Sequence, residues 1–284
     1  MLRARYPKKP LGQLCTLFGR SRQGFYKKQK TLAQNQFAAA FALELVQEVR
    51  AQHPQMGTLK IHHILTPKFR EHGIRIGRDK LFNLLAYRGM LIKPKRRKSQ
   101  TTNSLHPFKK YPDLAKEMEV TRIEQLWVAD ITYIRLLEGF CYLSLLTDAF
   151  SRLIVGYRLW PSLHTEGPLK ALEMALENRQ NTGVLTHHSD RGIQYCSSDY
   201  VAVAQGVHID LSMSQDGSPY DNALAERMNG ILKQEYSLGE SFIDYQAACR
   251  QVSTAVECYN KSRPHLSLSM ATPWQVHRSS HAVT

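Results

Sequence analysis

Paired cysteines, acidic residues at one end, and long apolar runs are what this 284-residue chain lacks. Its five cysteines, Cys15, Cys141, Cys196, Cys249 and Cys258, lie far apart and include no C-x-x-C. That spacing suggests neither a disulfide framework nor a thiolate zinc site, and a reducing, cytoplasmic setting is expected. No stretch approaches membrane-spanning length, and Arg3, Arg5, Lys8 and Lys9 are followed by no apolar segment of the kind a signal peptide needs. A membrane role is therefore not expected. Acidic residues are missing where basic ones crowd: residues 1–110 hold 4 Asp+Glu against 24 Lys+Arg, whereas residues 111–284 hold 20 against 14.

The whole basic excess is thus N-terminal, +20 against −6 for the rest. Twenty uncompensated charges repel one another unless a polyanion neutralises them, so the first 110 residues point to nucleic acid. Their affinity is expected to come largely from counterion release and to fall steeply with salt. Leu11, Leu14, Cys15 and Phe18 have helical spacing, Gly19 turns the chain, and Ser21 can cap a second short helix ending near Tyr26. This outlines a helix-turn-helix over residues 1–30, with Arg20, Arg22, Lys27 and Lys28 disposed for phosphate contact, although a purely structural helical hairpin has the same pattern.

Residues 31–92 carry a long Ala-rich helical stretch to His53, then a helix from Met56-Gly57 to Leu65 that Pro67 is expected to stop, and another from Arg78 to Tyr87. Arg78 and Lys80 open that last helix. His53, His62, His63 and His72 have no accompanying cysteine pair and read as ordinary histidines rather than zinc ligands. Residues 93–120 are read as a basic linker, in which Lys95, Arg96, Arg97 and Lys98 can track a groove of DNA or simply remain solvated.

From Gln125 the pattern changes to alternating strands and helices. Strands are expected at 126–135, 139–147, 152–160, 184–188 and 207–213, with Glu138-Gly139 as a hairpin turn, and helices at 165–179 and 197–205. Mixed α/β is as far as periodicity goes. Asp190 follows a short β-prone run, Val184 to Thr186, and precedes Gly192, as a carboxylate delivered at the end of a buried strand would. Glu226 lies 36 positions on, about one turn into a helix after Gly217-Ser218-Pro219, with Asp221 or Asn222 as N-cap. Lys233 is two turns further along the same face, where a phosphate backbone can pass. Asp190 and Glu226 are expected to share one divalent-metal site. Asp130, inside the apolar L-W-V-A-D-I-T-Y-I-R run, is the best third carboxylate, unless it is simply capped or salt-bridged. His188, and Asn222 beside the helix start, can support these ligands from behind. Asp148 reads as a turn residue or a further supporting carboxylate.

W-x-x-D-I-T-Y-I, L-T-D-A-F-S-R-L-I-V-G, H-S-D-R-G-I-Q-Y and D-N-A-L-A-E-R-M-N-G-I-L-K, in this order over roughly residues 120–275, resemble the integrase core of bacterial insertion-sequence transposases. The chain looks most like the second-frame product of the insertion-sequence-three family, itself similar to retroviral integrases. The resemblance implies a ribonuclease-H-like α/β catalytic core at 121–240, preceded by all-α helix-turn-helix DNA-binding segments and followed by a helix and tail at 241–284. It places the catalytic and metal-binding triad on Asp130, Asp190 and Glu226. It further implies two Mg²⁺ ions, for which Mn²⁺ can substitute, and cleavage followed by 3′-OH strand transfer at an element's terminal inverted repeats. Double-stranded DNA, further copies of the chain and an upstream-frame product are the implied partners, in a bacterial, nucleoid-associated setting. A metal nuclease that only cuts and a non-catalytic regulator at the same repeats are the alternatives. Tyr259-Asn260-x-x-Arg263-Pro264-His265 also recurs in the resembled family, with no chemistry legible in it.

Overall fold

The computed structural model describes residues 9–92, 108–214 and 223–281. Lys95, Arg96, Arg97, Lys98, Asp221 and Asn222 lie outside these residues. The chain divides into two compact units, one of residues up to 51 together with 57–91, the other of residues 52–56 together with 92 onward. No described helix is long and apolar enough to cross a membrane.

The first unit is helical. Helix α1 spans Leu11–Leu17, Gly19 takes φ +60° at the turn, and α2 runs unbroken over Arg22–Gln52. The expected short second helix and the expected 31–53 helix are therefore one element. Nothing between Tyr26 and Thr31 breaks a helix, Gly24 is tolerated, and Ser21 accepts the Gly24 N–H at 3.0 Å as the cap. Helix α3 covers Thr58–Glu71 and carries Pro67 inside it, where the sequence predicts a stop. Ile61, Leu65 and Phe69, one turn apart on one buried face, hold the helix through the hydrogen bond that proline forfeits. Gly73, at φ +65°, opens the turn to α4, Arg78–Tyr87.

The second unit is built on a mixed sheet of β1 (Leu126–Leu136), β2 (Phe140–Asp148), β3 (Ile154–Trp160), β4 (Leu185–Ser189) and β5 (Ile209–Met213). The strand order is β3-β2-β1-β4-β5, with a short β6 (Ser241–Phe242) beside the far end of β1. Antiparallel pairing joins β1 to β2 and β2 to β3, and parallel pairing joins β1 to β4 and β4 to β5, so only β2 runs against the other four. This is the ribonuclease-H-like arrangement.

Alternation along β1 sorts its side chains to two cores. Trp127 and Ala129 face helices α5 (Glu166–Glu177) and α6 (Ser198–Gly206), packing with Ala171, Leu172, Tyr200 and Ala204. Leu126, Val128 and Ile134 face the other way. There Leu126 and Val128 pack with Ala225, and Ile134 packs with Met228 and Ile231, all from α7 (Ala223–Glu235). Val252 and Val256 of α8 (Tyr245–Ser262) complete that layer. A 3₁₀ turn (Leu266–Leu268) and α9 (Pro273–His281) end the described chain. Gly156 of β3 lies so close to α5 that a Cβ there would collide with the Ala171 carbonyl, which sets how near that helix sits to the sheet.

Candidate active site

Parallel pairing of β1 with β4 puts Val128 opposite His188. Two residues further along each strand stand Asp130, still within β1, and Asp190, just past the end of β4. Adjacent strands lie about 4.8 Å apart, so the fold delivers two carboxylates to one edge without help from either side chain. Helix α7 passes over the same face of β1, with Glu226 exposed in its first turn.

Asp130 is held from two sides. Its Oδ1 accepts the Ile131 backbone N–H at 2.9 Å, and its Oδ2 accepts from Nδ2 of Asn229 at 2.7 Å. Burial pushes this carboxyl up from its ordinary 3.8 to about 7; the Asp190 charge adds to the rise, the Asn229 and Ile131 hydrogen bonds oppose it, and the Glu226 charge adds a little more. The three acids thus share one electrostatic neighbourhood. Among the described residues, no three His, Cys, Asp or Glu side chains lie close enough to form a ready-made metal site.

Asp190 shapes its own turn: its Oδ1 accepts the Gly192 N–H at 3.0 Å, and a Cβ on Gly192 would come within 2.9 Å of that same oxygen. Lys233 is half-buried, and burial holds its ammonium below the usual lysine value against the pull of Asp130. That pull places the lysine within the field of the acids.

His188 is buried, with Nδ1 2.8 Å from the Ser212 hydroxyl and 3.7 Å from Oδ1 of Asp113. Asp148 closes β2 and holds the turn that follows: it is fully buried and accepts from the Glu124 N–H, the Ser151 N–H and the Ser151 hydroxyl, each at 2.7 Å. In the helical unit Arg20, Arg22, Lys27, Lys28, Arg78 and Lys80 are all exposed. Arg78 pairs with neighbouring Asp79, and Lys80 donates to Oδ1 of Asn35 at 3.0 Å.

Two residues near the acids carry no role in the sequence reading. Asn229 sits three positions after Glu226, so helical spacing alone puts both on one face and could have found it. Tyr195 is buried against His187 and Tyr200, and among the described residues its hydroxyl has no hydrogen-bond partner. Burial and Tyr200, then Asp190 and Asp130, push that hydroxyl well above the ordinary tyrosine value. It closes H-S-D-R-G-I-Q-Y, but nothing in the motif says that its ring packs with His187 and Tyr200.

Two models of the integrase core domain match the chain, over residues 120–219 and 207–273. The chain is 33% identical over 262 residues to a 31 kDa protein of insertion element IS600 from Shigella sonnei, covering 92% of this chain and 96% of that one. It is also 33% identical over 203 residues to the transposase InsF of insertion sequence IS3A from Escherichia coli strain K12, covering 71% of this chain and 70% of that one. Among solved structures, the HTLV-2 integrase catalytic core domain matches with a TM-score of 0.45 at 20% identity, over 55% of this chain and 97% of that one. With near full-length similarity on the sequence side and an integrase core on the α/β unit, the chain belongs to the IS3 family of bacterial insertion-sequence transposases.

Proposed function

We propose that this transposase cuts DNA at the ends of its insertion sequence and joins the freed 3′-OH to a target, using Asp130, Asp190 and Glu226 as a divalent-metal site. The observation that carries the reading is the setting of the Asp130 carboxyl: parallel register brings Asp190 beside it, and the charges of Asp190 and, less, Glu226 add to a rise that burial begins. Like charges gathered at one locus call for a compensating cation. An all-carboxylate donor set is hard and oxygen-only, which suits Mg²⁺, with Mn²⁺ able to replace it. Such ions, when bound, supply charge stabilisation for the attacking and leaving oxygens of an in-line phosphoryl displacement.

The chain's own residues do the rest. Asn229 and the Ile131 N–H together fix the rotation of the Asp130 carboxylate by donating to Oδ2 and Oδ1. Lys233 offers a cation to a DNA phosphate beside the acids, and its partial burial makes that contact stronger than a fully solvated lysine would give. The exposed arginines and lysines of α2 and α4, with Arg20 and the basic 95–98 run, grip the phosphate backbone of the terminal repeats. The protein works among bacterial DNA as several copies that pair two ends, with an upstream-frame product as a further partner. A labelled element end incubated with Mg²⁺ tests the site: the wild type is expected to nick it and Asp190→Asn to leave it intact. Equal cutting by both would overturn the assignment. Supplying a pre-cleaved 3′-OH end with target DNA then separates joining from cutting alone.

A further inference from the structure

The R-P-H motif gains a role from where the fold puts it. Arg263 follows the last turn of α8 and is only 2% exposed. Its guanidinium forks onto the carboxylate of Glu235, the last residue of α7, with Nε donating to Oε2 at 2.8 Å and Nη2 to Oε1 at 2.7 Å. The same guanidinium lies over the Tyr259 ring, 5.5 Å from its centre. His265 meets the same residue at its hydroxyl: its Nε2 is 2.8 Å from the Tyr259 hydroxyl, which also meets the sulfur of Met228, within α7, at 3.3 Å. The end of α7 is pinned further. The Gln55 N–H donates to the Glu235 carbonyl at 3.2 Å, Gln251 donates to the Tyr236 carbonyl at 3.1 Å, and His53 bridges the Tyr236 and Ser262 hydroxyls at 3.0 and 3.2 Å.

Helix α7 therefore carries Glu226 in its first turn and Asn229 at its middle, and is clamped at its far end, about 13 Å from Glu226 and about 9 Å from Asn229 along its axis. A bidentate arginine fork fixes both distance and angle, which a single-point contact does not. We infer that Arg263 is a positioning residue for DNA cleavage: by orienting the C-terminal end of α7 it sets where Glu226 and Asn229 stand relative to Asp130. The inference rests on the reading of those acids as the cleavage site. Loss of a buried pair is itself destabilising, so the positioning role has to be read in folded protein.

Arg263→Lys keeps the charge and loses the fork. In the full chain it is expected to bind element-end DNA within about twofold of wild type yet cleave about 10-fold or more slowly, as small misplacements at a reacting centre do. Its calorimetric Mg²⁺ affinity is expected to fall as well, in protein that melts well above the assay temperature. Should Arg263→Lys not fold, Glu235→Gln, which keeps an acceptor and removes the charge, carries the same measurements. Wild-type cleavage rate and Mg²⁺ affinity in the folded variant, or losses that only follow the unfolded fraction, would overturn the inference and leave the site standing. No cleavage by the wild type would overturn the site and this inference with it.

Discussion

Asp130→Asn should stabilise the metal-free protein, and the gain should depend on pH in a defined direction. The carboxyl of Asp130 is raised from 3.8 to about 7 in the folded chain, first by burial and then by Asp190. A carboxyl raised on folding favours the native state while it is protonated, and that favour is lost as pH rises from the unfolded value through the folded one. The window is therefore about pH 4 to 7, with the full cost present above it. Three units at about 1.4 kcal/mol each give roughly 4 kcal/mol, and solvent at the partly exposed rim lowers this to roughly 2–4 kcal/mol. The asparagine keeps one oxygen to accept from Asn229 and carries no charge, so most of the cost is relieved. For a unit of this size the melting temperature at pH 8 should rise by about 5–15 °C, and the difference should shrink toward zero near pH 4. Mg²⁺ should stabilise the wild type and not the variant, narrowing the gap from the other side. Calorimetry of both proteins in EDTA at pH 4.5, 6 and 8, then in Mg²⁺, measures all of this. A variant no more stable than wild type at pH 8 would refute the desolvated, like-charge account of the acid.

Two further outcomes follow from particular contacts. Asn229→Leu removes a hydrogen bond that lowers the Asp130 value, so the acidic limb of the cleavage profile should move to higher pH, with activity recovering toward pH 9. An unshifted limb would deny Asn229 its hold on the acid. Gly156→Ala drives a methyl into the Ala171 carbonyl and should cost about 1–3 kcal/mol in unfolding, while far-UV circular dichroism stays that of the wild type.

Much of the catalytic unit was legible because its signals are local. The β-branched run at 126–136, the positive-φ Gly139 turn and the acid closing the 185–189 strand each announce themselves within a few residues. What escaped depends on contacts distant in sequence. Pro67 looked like a stop because the sequence does not show that Leu65 and Phe69 are buried on either side of it. The run from Tyr26 to Thr31 looked like a boundary because two motifs met there, although no residue in it disfavours helix. Among the acids, residue type and order pointed to Asp130, Asp190 and Glu226, whereas the pressure of Asp190 on Asp130 follows from parallel register, which is not written in either strand alone. Arg263 was silent for the same reason, since its partner Glu235 is 28 positions away on another helix.

Residues 52–56 have a practical consequence for anyone dissecting this transposase. They lie between two stretches of the helical unit in sequence yet pack with the sheet-containing unit, where His53 bridges Tyr236 and Ser262. A fragment that starts after residue 92 would lack that imidazole and take from the Tyr236 hydroxyl its 3.0 Å partner at the rear of α7, while Ser262 keeps its bond to the Cys258 carbonyl. Poor behaviour of such a fragment would then report a missing internal plug rather than a need for the helical unit, and adding back a peptide spanning the plug would tell the two apart.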